Sequence, residues 1–72
     1  MTLIAKDTCI ELKEFNSHFT PDGIYSNYDV VYAPSNEVCI SIETDREGYY
    51  CLFKIEDLKK YFKIKLLNGD YI

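Results

Sequence analysis

Seventy-two residues leave room for one domain, 1–72, and for no second. With 47% hydrophobic, 28% charged and 15% aromatic residues, the chain is too apolar to be a disordered tail. The net charge of −4 is unevenly placed: residues 1–53 set Lys6, Lys13 and Arg46 against nine acids, while residues 54–72 set five lysines against three acids. An acidic body repels a phosphate backbone at long range, so binding of RNA or DNA is disfavoured and falls to the lysine end alone.

The first residues, Met-Thr-Leu-Ile-Ala, carry a short apolar run that stops at Lys6 and Asp7, too short for a signal sequence or a membrane span. The three cysteines, Cys9, Cys39 and Cys51, are odd in number and lack CxxC spacing, which argues against both a disulfide framework and a zinc knuckle. Reduced thiols in a soluble, cytoplasmic protein are the expectation. Thr8 to Phe15 alternates loosely, with Ile10 and Leu12 on one face and Cys9 and Phe15 on the other, and reads as a strand. Asn16 to Asn27 is long and polar around Thr20-Pro21-Asp22-Gly23, where proline and glycine occupy favoured turn positions, and reads as an exposed connection. Tyr28 to Ala33, β-branched and aromatic, reads as a strand ending at a turn around Pro34.

Residues 37–55 give the clearest pattern. A four-residue loop from Asp45 to Gly48 makes partners sum to 93, so that Ile42 faces Cys51, Ile40 faces Phe53 and Val38 faces Ile55, every pair apolar. The alternate pairs, Glu43 with Tyr50, Ser41 with Leu52 and Cys39 with Lys54, belong on the wetter face. Beyond it, Ile55, Leu58, Tyr61 and Phe62 recur at helical steps, with Glu56 and Asp57 opening the turn and lysines closing it, which predicts a short helix over about 56–62. From there two readings stand: a return to extended chain through Ile64 and Leu66 to a hairpin turn at Asn68-Gly69, or helix to Leu67 with Gly69 as cap. The fold class is α+β: a three- to five-stranded, mostly antiparallel sheet with one short helix over one face.

No catalytic set can be assembled from these residues, so a non-enzymatic protein is expected. His18, the one histidine, stands in a polar loop beside Ser17, and no G-x-S-x-G elbow exists. Cys51 faces the core, which leaves Cys9 and Cys39 as the only candidate nucleophiles. Three cysteines and His18 lack metal-ligand spacing, the acids Glu43, Asp45 and Glu47 lack the pattern of a calcium loop, and isolated glycines make no phosphate cradle. No cofactor or metal is expected.

Tyrosine stands out, with seven residues in 72. Adjacent strand residues face opposite ways, so Tyr49 and Tyr50 cannot both be core, and Tyr25, Tyr28 and Tyr32 exceed what a small interior holds. A large apolar ring with a polar tip suits a protein interface. The expected partner-binding surface is therefore Tyr25, Tyr28, Asp29, Tyr32, Glu43, Asp45, Glu47, Tyr49 and Tyr50, acidic and aromatic, matched to a larger protein with a basic surface such as one that handles nucleic acid. Seven lysines to one arginine with abundant isoleucine is a composition reminiscent of small proteins of AT-rich bacteria and their phages, so a phage-type inhibitor of host defence is the concrete form. A self-associating subunit that completes its sheet through an unpaired edge strand is the alternative, followed by weak RNA or DNA binding through Lys54, Lys59, Lys60, Lys63 and Lys65.

Overall fold

A computed structural model describes residues 1–12 and 18–72. In chain order the elements are β1 (Thr2–Ala5), a 3-10 turn (Asp7–Glu11), β2 (Ile24–Tyr25), β3 (Tyr28–Tyr32), β4 (Val38–Glu43), β5 (Tyr50–Lys54), α1 (Ile55–Tyr61) and β6 (Phe62–Lys65). The strands form two antiparallel three-stranded sheets, ordered β2-β1-β6 and β3-β4-β5. The class is α+β as expected, with the strands divided between two sheets.

The central hairpin has the register that its apolar pairing requires. Ile42 meets Cys51, Ile40 meets Phe53 and Glu43 meets Tyr50, whereas the expected pair of Val38 with Ile55 does not form because Ile55 begins α1. The Asp45–Gly48 loop closes through the Thr44 N–H to the Tyr49 carbonyl at 2.8 Å, with Gly48 at φ 85°. Between β3 and β4, Asn36 takes φ 63° and its N–H bonds the Ala33 carbonyl at 2.8 Å. Gly69 does the same after β6, its N–H reaching the Leu66 carbonyl at 3.0 Å with φ 92°. In both places a left-handed residue ends a three-residue loop, the usual device for reversing twisted strands. Beyond the second loop the chain runs back along β6, the Ile72 N–H bonding the Ile64 carbonyl at 2.8 Å, so the extended reading holds over Phe62–Lys65.

The core lies between the sheets. Leu3, Ile42 and Phe62 are fully buried, with Ala5, Ile40, Phe53, Leu58 and Ile64 around them. Phe62 meets Phe19 at 5.2 Å and Phe53 at 5.4 Å, both near perpendicular, so ring edges meet ring faces as the aromatic quadrupole favours. The buried Thr44 hydroxyl bonds the main chain of Arg46, so burial leaves it satisfied.

Two sequence expectations are corrected. Residues 8–11 of the expected strand Thr8 to Phe15 lie in the 3-10 turn Asp7–Glu11, and its residues 13–15 lie outside the described residues. The reason is tertiary: this segment satisfies the carbonyls that the end of α1 leaves without helical partners. The Lys6 N–H bonds the Tyr61 carbonyl at 2.8 Å, and the Thr8 hydroxyl bonds that of Lys60 at 2.5 Å. The Cys9 thiol donates to the Tyr61 carbonyl at 3.1 Å. Likewise, the expected exposed connection contains β2, which pairs with β1 and places Tyr25 in the core; its residues 16 and 17 lie outside the described residues. The turn before β2 closes with the Gly23 N–H on the Thr20 carbonyl at 2.8 Å. A Cβ at Gly23 would fall 2.8 Å from that carbonyl oxygen and 3.1 Å from the Tyr25 ring, so the close approach of turn and ring demands glycine.

Candidate functional site, the outer face and edge of one sheet

The two sheets are covered unequally. The faces of β1 and β6 that carry Leu3, Ala5, Phe62 and Ile64 look into the core, and the C-terminal residues pair along β6. Along β3 only Tyr28 packs on the core; Asp29, Val30, Val31 and Tyr32 are exposed on both faces. Val30 retains 57% and Tyr32 70% of their accessible surface. So a strand rich in apolar residues forms one edge of its sheet and is open on both sides.

Side chains alternate across that sheet, which sorts the nine candidate residues. Asp29 and Val31 on β3, Ser41 and Glu43 on β4, and Tyr50 and Leu52 on β5 share the outer face, because Asp29 pairs with Ser41, Ser41 with Leu52, and Glu43 with Tyr50. Tyr28 and Tyr32 share the opposite face with Ile42 and Val38. Tyr49 sits at the loop end under the Arg46 guanidinium, 4.1 Å from its ring centre, and Glu47 is exposed at the tip. The tyrosines thus divide between two faces of one sheet.

Hydrogen bonds order the outer face. The Asn27 side-chain N–H group donates to Glu43 Oε1 at 3.0 Å and to the Tyr50 hydroxyl at 3.3 Å. The Gly48 N–H donates to Glu43 Oε2 at 3.1 Å. These bonds favour the charged form, the Gly48 N–H most, so the Glu43 carboxyl titrates below the usual range. Beside this network Leu52 is 55% exposed. An ordered carboxylate, a phenol and an isobutyl group thus lie together, with rotamer freedom already reduced before anything binds.

Tyr25 has to be taken out of the binding surface, while Asp45 is exposed and is bonded to it. Tyr25 is 8% exposed, its ring edge-on to Phe19 at 5.0 Å. Its hydroxyl donates to Asp45 Oδ1 at 2.6 Å and accepts from the Thr20 N–H at 2.7 Å, while the Thr20 hydroxyl donates to Asp45 Oδ2 at 2.7 Å. Burial first, and the Asp45 carboxylate second, push the Tyr25 phenol up to about 12. Each oxygen of the exposed Asp45 carboxylate thus accepts a bond from the Thr20–Tyr25 segment, holding the hairpin loop to the Pro21 turn. A seven-tyrosine composition signals surplus rings but not which one is buried with a hydrogen-bond acceptor in reach. Sequence reasoning also passed over Leu52 and Val31 as binding residues, although the alternation that put Leu52 opposite Ser41 on the wetter face was the signal.

The thiols are corrected in the same way. Cys39, expected on the wetter face, is 4% exposed, because its small side chain sits on the central strand between cross-strand neighbours Val31 and Lys54. Cys9 is buried too, and desolvation pushes its thiol up to about 11, the wrong direction for a nucleophile. Among the described residues no three of histidine, cysteine, aspartate and glutamate gather to hold a metal ion, and no helix is long and apolar enough to cross a membrane. The lysines are scattered in role: Lys54 pairs with Glu37 at 3.6 Å, Lys60 lies 5.3 Å from the Tyr61 ring centre and Lys65 5.9 Å from that of Tyr71. No family model, no curated protein and no solved structure matches the chain.

Proposed function

We propose that this chain is a non-enzymatic binding module that occludes or regulates a larger protein through the outer face of β3-β4-β5. The partner presents a basic surface of the kind that handles nucleic acid, and the concrete form is a phage-type inhibitor such as an anti-restriction or anti-CRISPR protein. The observation that carries the reading is the ordered Asn27–Glu43–Tyr50 network beside an exposed Leu52. Aromatic and aliphatic anchors within an acidic rim fit a cationic protein surface, where the rings supply contact area and the carboxylates steer approach. Asp29 and Glu43 are too few to imitate a phosphate backbone, so anchoring rather than charge mimicry supplies most of the affinity.

The test presents the tagged chain to a bacterial lysate at low and high ionic strength, beside a Tyr50→Ala/Leu52→Ala double variant of the same fold. The expected result is a protein with a basic surface, held by the native chain, released by salt and missing from the double variant. Equal recovery of the same proteins by both baits overturns the reading.

A further inference from the structure

The free edge of β3 has a register of its own, fixed by which backbone groups β4 already uses. The Ala33 N–H bonds the Glu37 carbonyl at 2.8 Å and the Glu43 N–H bonds the Asn27 carbonyl at 3.0 Å, one at each end of the β3–β4 ladder. Hydrogen-bonded and non-bonded pairs alternate along an antiparallel ladder, so Asp29 and Val31 point their N–H and C=O at β4. Tyr28, Val30 and Tyr32 consequently point theirs outward, where no strand among the described residues meets them.

We infer that this edge pairs with the β3 edge of a second copy about a two-fold axis at Val30, joining two three-stranded sheets into one. A two-fold axis perpendicular to a sheet sets residues of the same face opposite one another, so it must pass through a residue position. At Val30, Val30 meets Val30 of the second copy and Tyr28 meets its Tyr32, and every outward N–H and C=O of β3 gains a partner. On the core-side face this gives Val–Val and Tyr–Tyr pairs; on the outer face each Asp29 lies opposite Val31 of the second copy. Moving the axis to Asp29 sets two carboxylates directly opposite, a destabilising pair. Moving it to Val31 sets Tyr28 opposite Pro34 of the second copy, which has no N–H to give. Charge and hydrogen bonding therefore favour Val30 over the two neighbouring axis positions.

Two devices that blunt natural edges are absent from this strand: β3 carries no lysine and no proline, and its one charge, Asp29, projects from the opposite face to the exposed Val30 and Tyr32. One five-residue edge buries less than the roughly 1,200 Å² of a stable interface, so the dimer is weak and concentration-dependent. Pairing about this axis leaves both outer faces on the same side, so a dimer displays two copies of the Glu43–Tyr50 surface in one plane.

The test is sedimentation velocity of the full chain from about 1 µM to about 1 mM, a range that brackets weak association. The native chain is expected to shift from monomer toward dimer as concentration rises. Val30→Pro removes an N–H that β4 does not use, so it is expected to keep the native circular dichroism spectrum while weakening self-association by at least tenfold. Val30→Lys provides the same test should the proline variant fail to fold. Tyr50→Ala/Leu52→Ala is expected to dimerise normally, which separates failure of this inference from failure of the partner-binding reading. A native chain that stays monomeric throughout, or folded Val30 variants that associate as strongly as the native chain, overturns the inference.

Discussion

Tyr25→Phe keeps the ring against Phe19 and deletes one oxygen, which makes it a direct measure of the bond network between the Pro21 turn and the hairpin loop. The oxygen donates to Asp45 at 2.6 Å and accepts from the Thr20 N–H at 2.7 Å. A bond to a charged group nets about 1.5–3 kcal/mol and a neutral one about 1 kcal/mol. Asp45 is exposed, so water recovers part of what its carboxylate loses and the first value falls to its lower end. Loss of both bonds is worth about 2 kcal/mol, against a total near 4–11 kcal/mol for a chain of this length. Urea unfolding followed by far-ultraviolet circular dichroism measures it, and the matching drop in Tm is about 10 °C. The pH dependence carries a second signature. Because the folded phenol is raised from 10.0 to about 12, its contribution is complete below pH 10 and is lost as pH rises through 12. Tyr25→Phe removes that alkaline decline. A variant within about 0.5 kcal/mol of the native chain, the range of an ordinary surface substitution, refutes the network.

Phe62→Ala, which removes the central ring of the aromatic cluster, is expected to cost about 3–5 kcal/mol, read as a large drop in Tm in thermal melts. Ile42→Val at a site equally buried costs about 0.5–1.5 kcal/mol, and equal losses from the two would show that the ring cluster is not the centre of the core. Cys9, Cys39 and Cys51 are all buried, so a thiol reagent is expected to label the native chain slowly and the urea-unfolded chain rapidly; fast native labelling of Cys9 contradicts its raised pKa. Glu43 is held below the usual carboxylate range, so its contribution is present above the unfolded value and lost as pH falls through the lowered one. Glu43→Gln is accordingly expected to flatten the acid side of the stability profile, and an unchanged profile would show that its bonds to Gly48 and Asn27 do not favour the charged form.

Local pattern carried most of what local forces decide. The 93-sum register was legible because a one-residue slip sets apolar against polar side chains all along the pair, and α1 because apolar steps and dipole-matched charges agree. Residues 7–11 were not legible, since their conformation is set by α1 carbonyls some fifty positions away. The split of the strands into two sheets is non-local in the same sense. β1 and β6 stand at opposite ends of the chain, and neither is periodic for long enough to announce a partner. At the candidate site, Glu43 and Tyr50 were legible as a cross-strand pair. Tyr25 and Asp45 were not, because a phenol and a carboxylate twenty positions apart give no sign in sequence that they bond each other.

Among the described residues no strand covers the outer edge of β3, and amide hydrogen exchange in dilute solution tests that openness residue by residue. The expected result is alternation: slow exchange at Asp29 and Val31, whose N–H groups face β4, and fast exchange at Tyr28, Val30 and Tyr32. Uniform slow exchange from Tyr28 to Tyr32 in the dilute monomer would mean that another part of the chain already covers the edge, and would contradict the account.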